Sequence, residues 1–396
     1  MQNFKLNETE ILSNQDWTFP TNTAYGPGRF KEIGDQCNKF GIRNPLIVTD
    51  NGSTKLPFIN ELKELLLKAN IKSDLFSEIS PNPREDEISA GCKKYKDGNH
   101  DSIIAIGGGS AMDGGKLICL TANNDIPLRD FEFELTPPKI SKDNPFPKII
   151  TIPTTAGTGA ETEITAMVTY LKEGMKFCMW HPDVRPVLAL VDPELTLGLP
   201  SSLTAWTGVD AMVHAIEGYC VPGFHPLCDG SALESLSLIS KSLYLAVEEP
   251  KNLIARGGMH IGSYLGGIAF LKGLGNVHSI SHMVGAEFNT QHGLTNAIIL
   301  PVVLKYNLYD MDEKVKRMSE AMQFKDHSID SFINNIEKML DRLQIPKSLS
   351  EIGVTEDCVD RIAEKAMKDQ AYATNPKKAS YEDMKEMVMQ SIKKAR

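Results

Sequence analysis

Two helical pairs of chemically able side chains dominate the sequence. In TGVDAMVHAIEGY, Asp210 and His214 stand four residues apart; in GLGNVHSISHMVGAEFNTQHG, His278 and His282 repeat that spacing, and His292 follows before Gly293. On a helix, residues four apart share a face, so each pair aims at one point. One carboxylate with imidazoles and no thiolate suits Fe(II), Zn or Mn rather than copper or an iron–sulfur cluster. Four of the nine histidines lie in these two segments, and that concentration favours a metal site over ordinary packing. Spacing alone leaves open which four of the five groups would bind. HExxH is absent, so a zinc protease would lack its general-base glutamate.

A second chemistry is carried by glycines and hydroxyls. In DSIIAIGGGS (101–110) an apolar strand breaks into Gly107, Gly108, Gly109 and Ser110 ahead of a helix. Glycines there let the backbone approach a pyrophosphate, whose charge the helix N-terminus stabilises. TIPTTAGTGAE (151–161) repeats the design: Thr154, Thr155 and Thr158 offer donors to phosphate or nicotinamide, and Gly157 and Gly159 are expected to make room for them. Two such loops at the C-terminal ends of strands lie where open α/β sheets bind ligands. Asp50 ends the strand PLIVTD, and an acid there bonds an adenosine 2′-OH and repels a 2′-phosphate, which favours NAD over NADP.

These residues need a scaffold, and the sequence outlines one. PLIVTD (45–50), KSDLFSEI (72–79), DSIIAIG (101–107), PKIITIP (147–153) and PVLALVDPE (186–194) read as strands. NELKELLLKAN (60–70), PREDEISAGCKKYKDG (83–98) and AMDGGKLICLTA read as the crossover helices, and DFEFELTPPKISKDNPFP as a Pro-rich loop. Strand and helix in alternation give a doubly wound parallel sheet. After Pro200 the periodicity is helical to the end, as in SLTAWTGVDAMVHAIEGY, SALESLSLISKSLYLAVEE and DSFINNIEKMLDRL. The expected architecture is a Rossmann-like α/β dinucleotide-binding domain over 1–200 and an all-α domain over 201–396, with the active site in the cleft between them.

Composition excludes several classes. A chain of 396 residues exceeds one ordinary core. The 42 basic against 51 acidic residues leave a net charge of −9, which repels a phosphodiester backbone. Seven scattered cysteines without a CxxC argue against a disulfide framework or zinc ribbon and suit a reducing cytoplasm. The start, MQNFKLNETEILSNQDW, lacks the basic and apolar regions of a signal peptide, and no apolar run suggests a membrane span. Nucleic acid and membrane are therefore not expected partners; a homodimer or higher homo-oligomer is.

Taken together, GGGSAMDGGK, IPTTAGTGAE, VDPELTLGLP, TGVDAMVHAIEGY and HSISHMVGAEFNTQHG resemble the iron-containing, or group III, alcohol dehydrogenases, and the similarity runs from FPT near residue 19 to Asn375 and Pro376. The resemblance implies reversible hydride transfer between NAD and a small alcohol, aldehyde or ketone, assisted by Fe(II), Zn or Mn. It makes Asp210, His214, His278 and His292 the metal ligands and His282 a catalytic histidine near the nicotinamide. It also makes Gly107 to Ser110 the pyrophosphate loop with Asp113 behind it, Thr154, Thr155 and Thr158 the second cofactor loop, and Lys176 a contact to the nicotinamide ribose. Asp50 matches the acid of NAD-preferring members. Trp206, Gly114 and Gly115, and the shortened FLKGLGNVH segment depart from the usual pattern. Competing expectations are a hydroxy-acid, polyol or maleylacetate enzyme of the same superfamily, or a metal- and nucleotide-binding protein without turnover. Trp206, Phe270, His181, Tyr372 and His260 are candidates to line the substrate pocket, although each suits ordinary packing.

Overall fold

The computed structural model describes residues 21–396. The polar N-terminal stretch and Phe19–Pro20 lie outside the described residues. In chain order the first part contains β1 (Thr23–Tyr25), α1 (Ile33–Phe40), β2 (Pro45–Asp50), α2 (Pro57–Lys68), β3 (Asp74–Ile79), α3 (Glu85–Asp97), β4 (Ser102–Gly107) and α4 (Gly109–Ala122). There follow β5 (Lys148–Pro153), a hairpin of β6 (Thr165–Tyr170) and β7 (Met175–Trp180), and β8 (Leu188–Val191). Six of these strands form one sheet in the order β1-β8-β5-β4-β2-β3, parallel at every pairing.

The apolar runs explain the sheet. A parallel sheet is covered on both faces, so its central strands are buried throughout, as β4 is along its whole length. Alternate residues serve opposite layers. Ile103 and Ile149 pack with Phe76 of β3 and with Ile88 and Ile118 of α3 and α4, whereas Ile104 and Ile150 pack with Ile33, Ile59 and Leu62 of α1 and α2.

Three strands carried no expectation. β1 is three residues long, and the β6–β7 hairpin lies outside the main sheet, turning at Gly174 with a φ of +57°. The 186–194 segment is strand only over Leu188–Val191. Asp192 ends it by accepting from Glu194 N at 3.0 Å and Phe30 N at 2.9 Å, which turns the chain into a 3-10 helix at Pro193–Thr196.

Among the described residues no strand follows Val191. The helical part comprises α5 (Ser201–Cys220), α6 (Pro226–Glu248), α7 (Leu253–Ala269), α8 (Asn276–Phe288), α9 (His292–Asn307), α10 (Asp312–Ala321), α11 (Ile329–Arg342), α12 (Val359–Ala366), α13 (Gln370–Thr374) and α14 (Tyr381–Lys393). α5 is its axis: every residue from Thr207 to Cys220 is buried, surrounded by α6, α7 and α9. A helix apolar on all sides belongs in a core, so the two polar groups on α5 that carry chemistry are enclosed by the fold.

Candidate active site

Four side chains on three helices converge. Asp210 and His214 on α5, His278 on α8 and His292 at the start of α9 each offer one ligand atom, all within 4.8 Å of one another. Asp210 Oδ1 lies 3.9 Å from His214 Nε2 and 3.8 Å from His292 Nε2. The imidazoles are oriented from behind. Glu217 Oε2 accepts from His278 Nδ1 at 2.6 Å, and the Gly157 carbonyl accepts from His214 Nδ1 at 3.3 Å. Both bonds fix the tautomer that leaves Nε2 with its lone pair, as a metal ligand requires. Burial, opposed by the Asp210 charge, lowers His214 to about 4, and burial with its cationic neighbours holds His292 well below the ordinary histidine value. These rings are therefore neutral donors near pH 7. The donor set fits a borderline divalent cation.

Asn296, four residues after His292 on α9, closes this cluster. Its Nδ2 is 2.7 Å from Asp210 Oδ1 and 3.1 Å from both His278 Nε2 and His292 Nε2. The amide therefore lies against three of the four candidate ligands, with two N–H donors to share among them.

His282 lies one helical turn beyond His278, its ring stacked on His292 at 5.5 Å between centroids. Its Nδ1 donates to Asp369 Oδ2 at 2.9 Å, while Asp369 Oδ1 caps α13 by accepting from Ala371 N at 2.8 Å. Asp369 is itself fixed by the fold and so holds the His282 ring with Nε2 as the remaining nitrogen.

The cofactor loops face the same space. Gly107 has a φ of +146°, and a Cβ there would strike Ala111 and the Asp50 carboxylate. Gly108 is the N-cap of α4, and Gly109 touches the Thr158 side chain so closely that no Cβ would fit. Thr154 N donates to Gly107 O at 2.8 Å, and Thr155 lies beside Gly108, so the two loops abut. Asp50 stands at the end of β2 next to Gly107, where its carboxylate accepts from Ser53 N at 2.9 Å and Ser53 Oγ at 2.8 Å. Gly157 and Gly159 serve a different purpose from the one expected. They press against Thr207 of α5 and Gly267 of α7, so their missing side chains let the loop dock on the helical part.

A cavity of about 510 Å³ joins the halves: Gly109, Ser110, Asp113, Thr158 and Lys176 border it together with His214, His278, His282 and His292. That volume is usual for a ligand site. Burial raises Asp113 to about 6 and lowers Lys176 to about 8, against their mutual attraction. Of the suggested pocket residues, Phe270 borders the cavity, its ring 4.9 Å from that of His214. The others are structural. His181 packs on Phe131 and Phe146 and bonds Pro138 O; Tyr372 donates to Ala379 O; Trp206 packs on the helical core; His260 is fully buried within α7.

Comparisons with known proteins identify the family. Residues 20–193 match the family model described as iron-containing alcohol dehydrogenase, and residues 204–392 that of the Fe-containing alcohol dehydrogenase family, C-terminal. The chain belongs to the iron-containing alcohol dehydrogenase family. The NAD-dependent methanol dehydrogenase of Bacillus methanolicus is 31% identical, over 94% of this chain and 98% of that one. The 4-hydroxybutyrate dehydrogenase of Cupriavidus necator is 34% identical, over 92% of this chain and 96% of the relative. A crystal structure of a 1,3-propanediol oxidoreductase superposes with a TM-score of 0.89 at 31% identity, covering 95% and 99% of the two chains. Like its family, the protein is an oxidoreductase of alcohols that uses NAD(H) and a divalent metal.

Glu217, Asn296 and Asp369 escaped the sequence reading. Glu217 stands three residues after His214, and Asn296 four after His292, so helical spacing offered a signal for both. Asp369 offered none, since it meets His282 across 87 residues.

Proposed function

We propose that Asp210, His214, His278 and His292 hold the metal, that Gly107, Gly108, Gly109, Ser110, Asp113, Thr154, Thr155, Thr158, Lys176 and Asp50 bind NAD, and that His282 handles the proton. The observation that carries this reading is the single cavity bordered at once by the ligand cluster and by the glycine loop at the sheet's C-terminal edge. When bound, the ion supplies a Lewis acid toward the substrate oxygen and NAD(H) supplies the hydride acceptor or donor.

The chain's own residues do the rest. Ser110 and the N–H groups at the start of α4 receive the pyrophosphate. Asp50 selects a free 2′-hydroxyl by charge. Lys176 orients the ribose from the β7 side. His282 accepts the proton at Nε2, and Asp369 stabilises the resulting imidazolium through Nδ1, a contribution of roughly 10²–10⁴ in rate. Phe270, Leu271 and Leu274 line the cavity and limit water.

The ion is proposed to be Fe(II), with Zn or Mn as substitutes. The chain divides near residue 200 into a cofactor-binding and a metal-binding domain. Seven free thiols support a reducing, cytoplasmic setting. A homo-oligomer built on the edge of β1 that no described strand covers, beside exposed Tyr25, is the proposed assembly. The test is NADH formation by metal-loaded protein against an alcohol panel, with metal content measured in parallel. Stoichiometric metal and NAD binding without turnover of any alcohol would overturn the reading.

A further inference from the structure

Asn82 reaches from the sheet to the helical part at a point between the two proposed centres. It follows β3 in the run Pro81-Asn82-Pro83, and both prolines border the cavity. Each proline fixes a φ, Ser80 Oγ donates to Asn82 O at 2.9 Å, and Thr169 N donates to Pro83 O at 2.7 Å. Glu87 Oε2 accepts from Ser80 N at 3.2 Å and from Arg84 N at 3.0 Å, which clamps the run on both sides. The Asn82 side chain is therefore a buried peg on a stiff support.

The two polar atoms of that amide serve different neighbours. Nδ2 donates to Asn289 Oδ1 at 2.7 Å. Asn289 is the exposed, left-handed residue that ends α8 shortly before α9 begins at His292, so its placement sets how His292 meets His278 and His282. Oδ1 and the Lys176 ammonium both flank Gly285: a Cβ on that glycine would stand 3.4 Å from Asn82 Oδ1 and 3.5 Å from Lys176 Nζ. Gly285 and Asn289 belong to the same last turn of α8, with Asn289 N donating to Gly285 O at 3.0 Å. One rigid side chain thus holds the corner that leads into a candidate metal ligand and stands by the lysine assigned to the cofactor.

A ligand that orders a shared element spares the next ligand that cost, which makes the two bind cooperatively. The effect is reciprocal by thermodynamic linkage. We propose that Asn82 is a positioning residue that couples the two centres, so that NAD held at Lys176 and a metal ion held by His292 each strengthen the other's binding. This rests on the ligand and cofactor assignments above and adds a dependence between them.

The test measures metal affinity by chelator competition, with Zn(II) as the probe ion, and NAD affinity by titration, each with and without the other ligand. In the native protein saturating NAD should raise Zn(II) affinity about 5–10-fold, the effect of about one net hydrogen bond, and Zn(II) should raise NAD affinity by the same factor. Asn82→Ala should bring both factors down to about one, while each ligand alone still binds. Asn289→Gly removes the acceptor and keeps the left-handed turn, which glycine adopts freely, so it should abolish the coupling as well. A merely structural role for Asn82 would weaken each ligand equally with and without the other, leaving the factor at its native value; that result would overturn the proposal. Independent binding of NAD and Zn(II) in the native protein would overturn it too. A native chain that fails to take up Zn(II) or NAD would instead defeat the assignments themselves, and the coupling with them.

Discussion

Replacing Glu217 tests whether the candidate metal centre is organised from behind as the geometry implies. The side chain is 4% exposed, and its two oxygens have separate duties: Oε2 holds His278 Nδ1 at 2.6 Å and Oε1 accepts from Val277 N at 2.8 Å. In Glu217→Ala, His278 loses the acceptor that fixes its tautomer and ring plane. Removing such an outer partner costs about 10–100-fold in metal affinity, equivalent to roughly 1.4–2.7 kcal/mol. The unpaired Val277 N–H adds a separate loss of about 1–3 kcal/mol in folding stability. Chelator competition on the purified variant measures the first effect, and urea unfolding of the metal-free chain measures the second. Glu217→Gln keeps an oxygen for one partner and should fall between the native protein and Glu217→Ala in both assays. An unchanged metal affinity in Glu217→Ala would refute the argument, because His278 would then be oriented by packing alone.

His214→Ala or His292→Ala removes one of the four converging donors, so bound metal and activity should both collapse while NAD binding, measured by titration, persists; stoichiometric metal in either variant would exclude this ligand set. Asp50→Gly should raise relative use of NADP about tenfold, with a small stability loss from the two freed Ser53 donors; an unchanged NAD/NADP ratio would place Asp50 outside the ribose pocket. His282→Asn should retain metal and NAD but lose about 10²–10⁴ in kcat and shift the pH–rate profile; loss of metal here and its retention in His278→Asn would exchange the two roles. Burial raises Glu161 to about 7, so the folded chain binds that proton more tightly than the unfolded chain, and the stability it contributes below the ordinary glutamate range is lost as pH rises through about 7. In the NAD-free protein Glu161→Gln should therefore flatten the fall in Tm over that window, and an unaltered slope would refute the assignment.

How much of this was legible in the sequence can be judged from particular residues. The runs IIAIG and KIITIP read as central parallel strands because short β-branched runs bounded by turn residues suit a sheet covered on both faces, and strand followed by glycines and a helix then locates the phosphate-binding edge. The four-residue spacing of Asp210 with His214, and of His278 with His282, is local geometry that any helix enforces. Sequence order also fixed the change from alternating to helical pattern near Pro200.

Other features needed the tertiary structure. Whether His282 or His292 completes the ligand cluster depends on how α8 and α9 meet at Asn289, which takes the left-handed conformation with a φ of +52°; spacing treats the two rings alike. Asp369 reaches His282, and Gly159 reaches Gly267, only when distant segments dock. Thr165 and Met167 of β6 border the cavity together with Cys178 and Trp180 of β7 only because the hairpin pairs in the register that sets Met167 opposite Cys178 and Thr165 opposite Trp180. Local sequence sets which face of an element can do chemistry; packing between elements decides which of those faces meet, since the contacts that join them are summed over surfaces far apart in the chain.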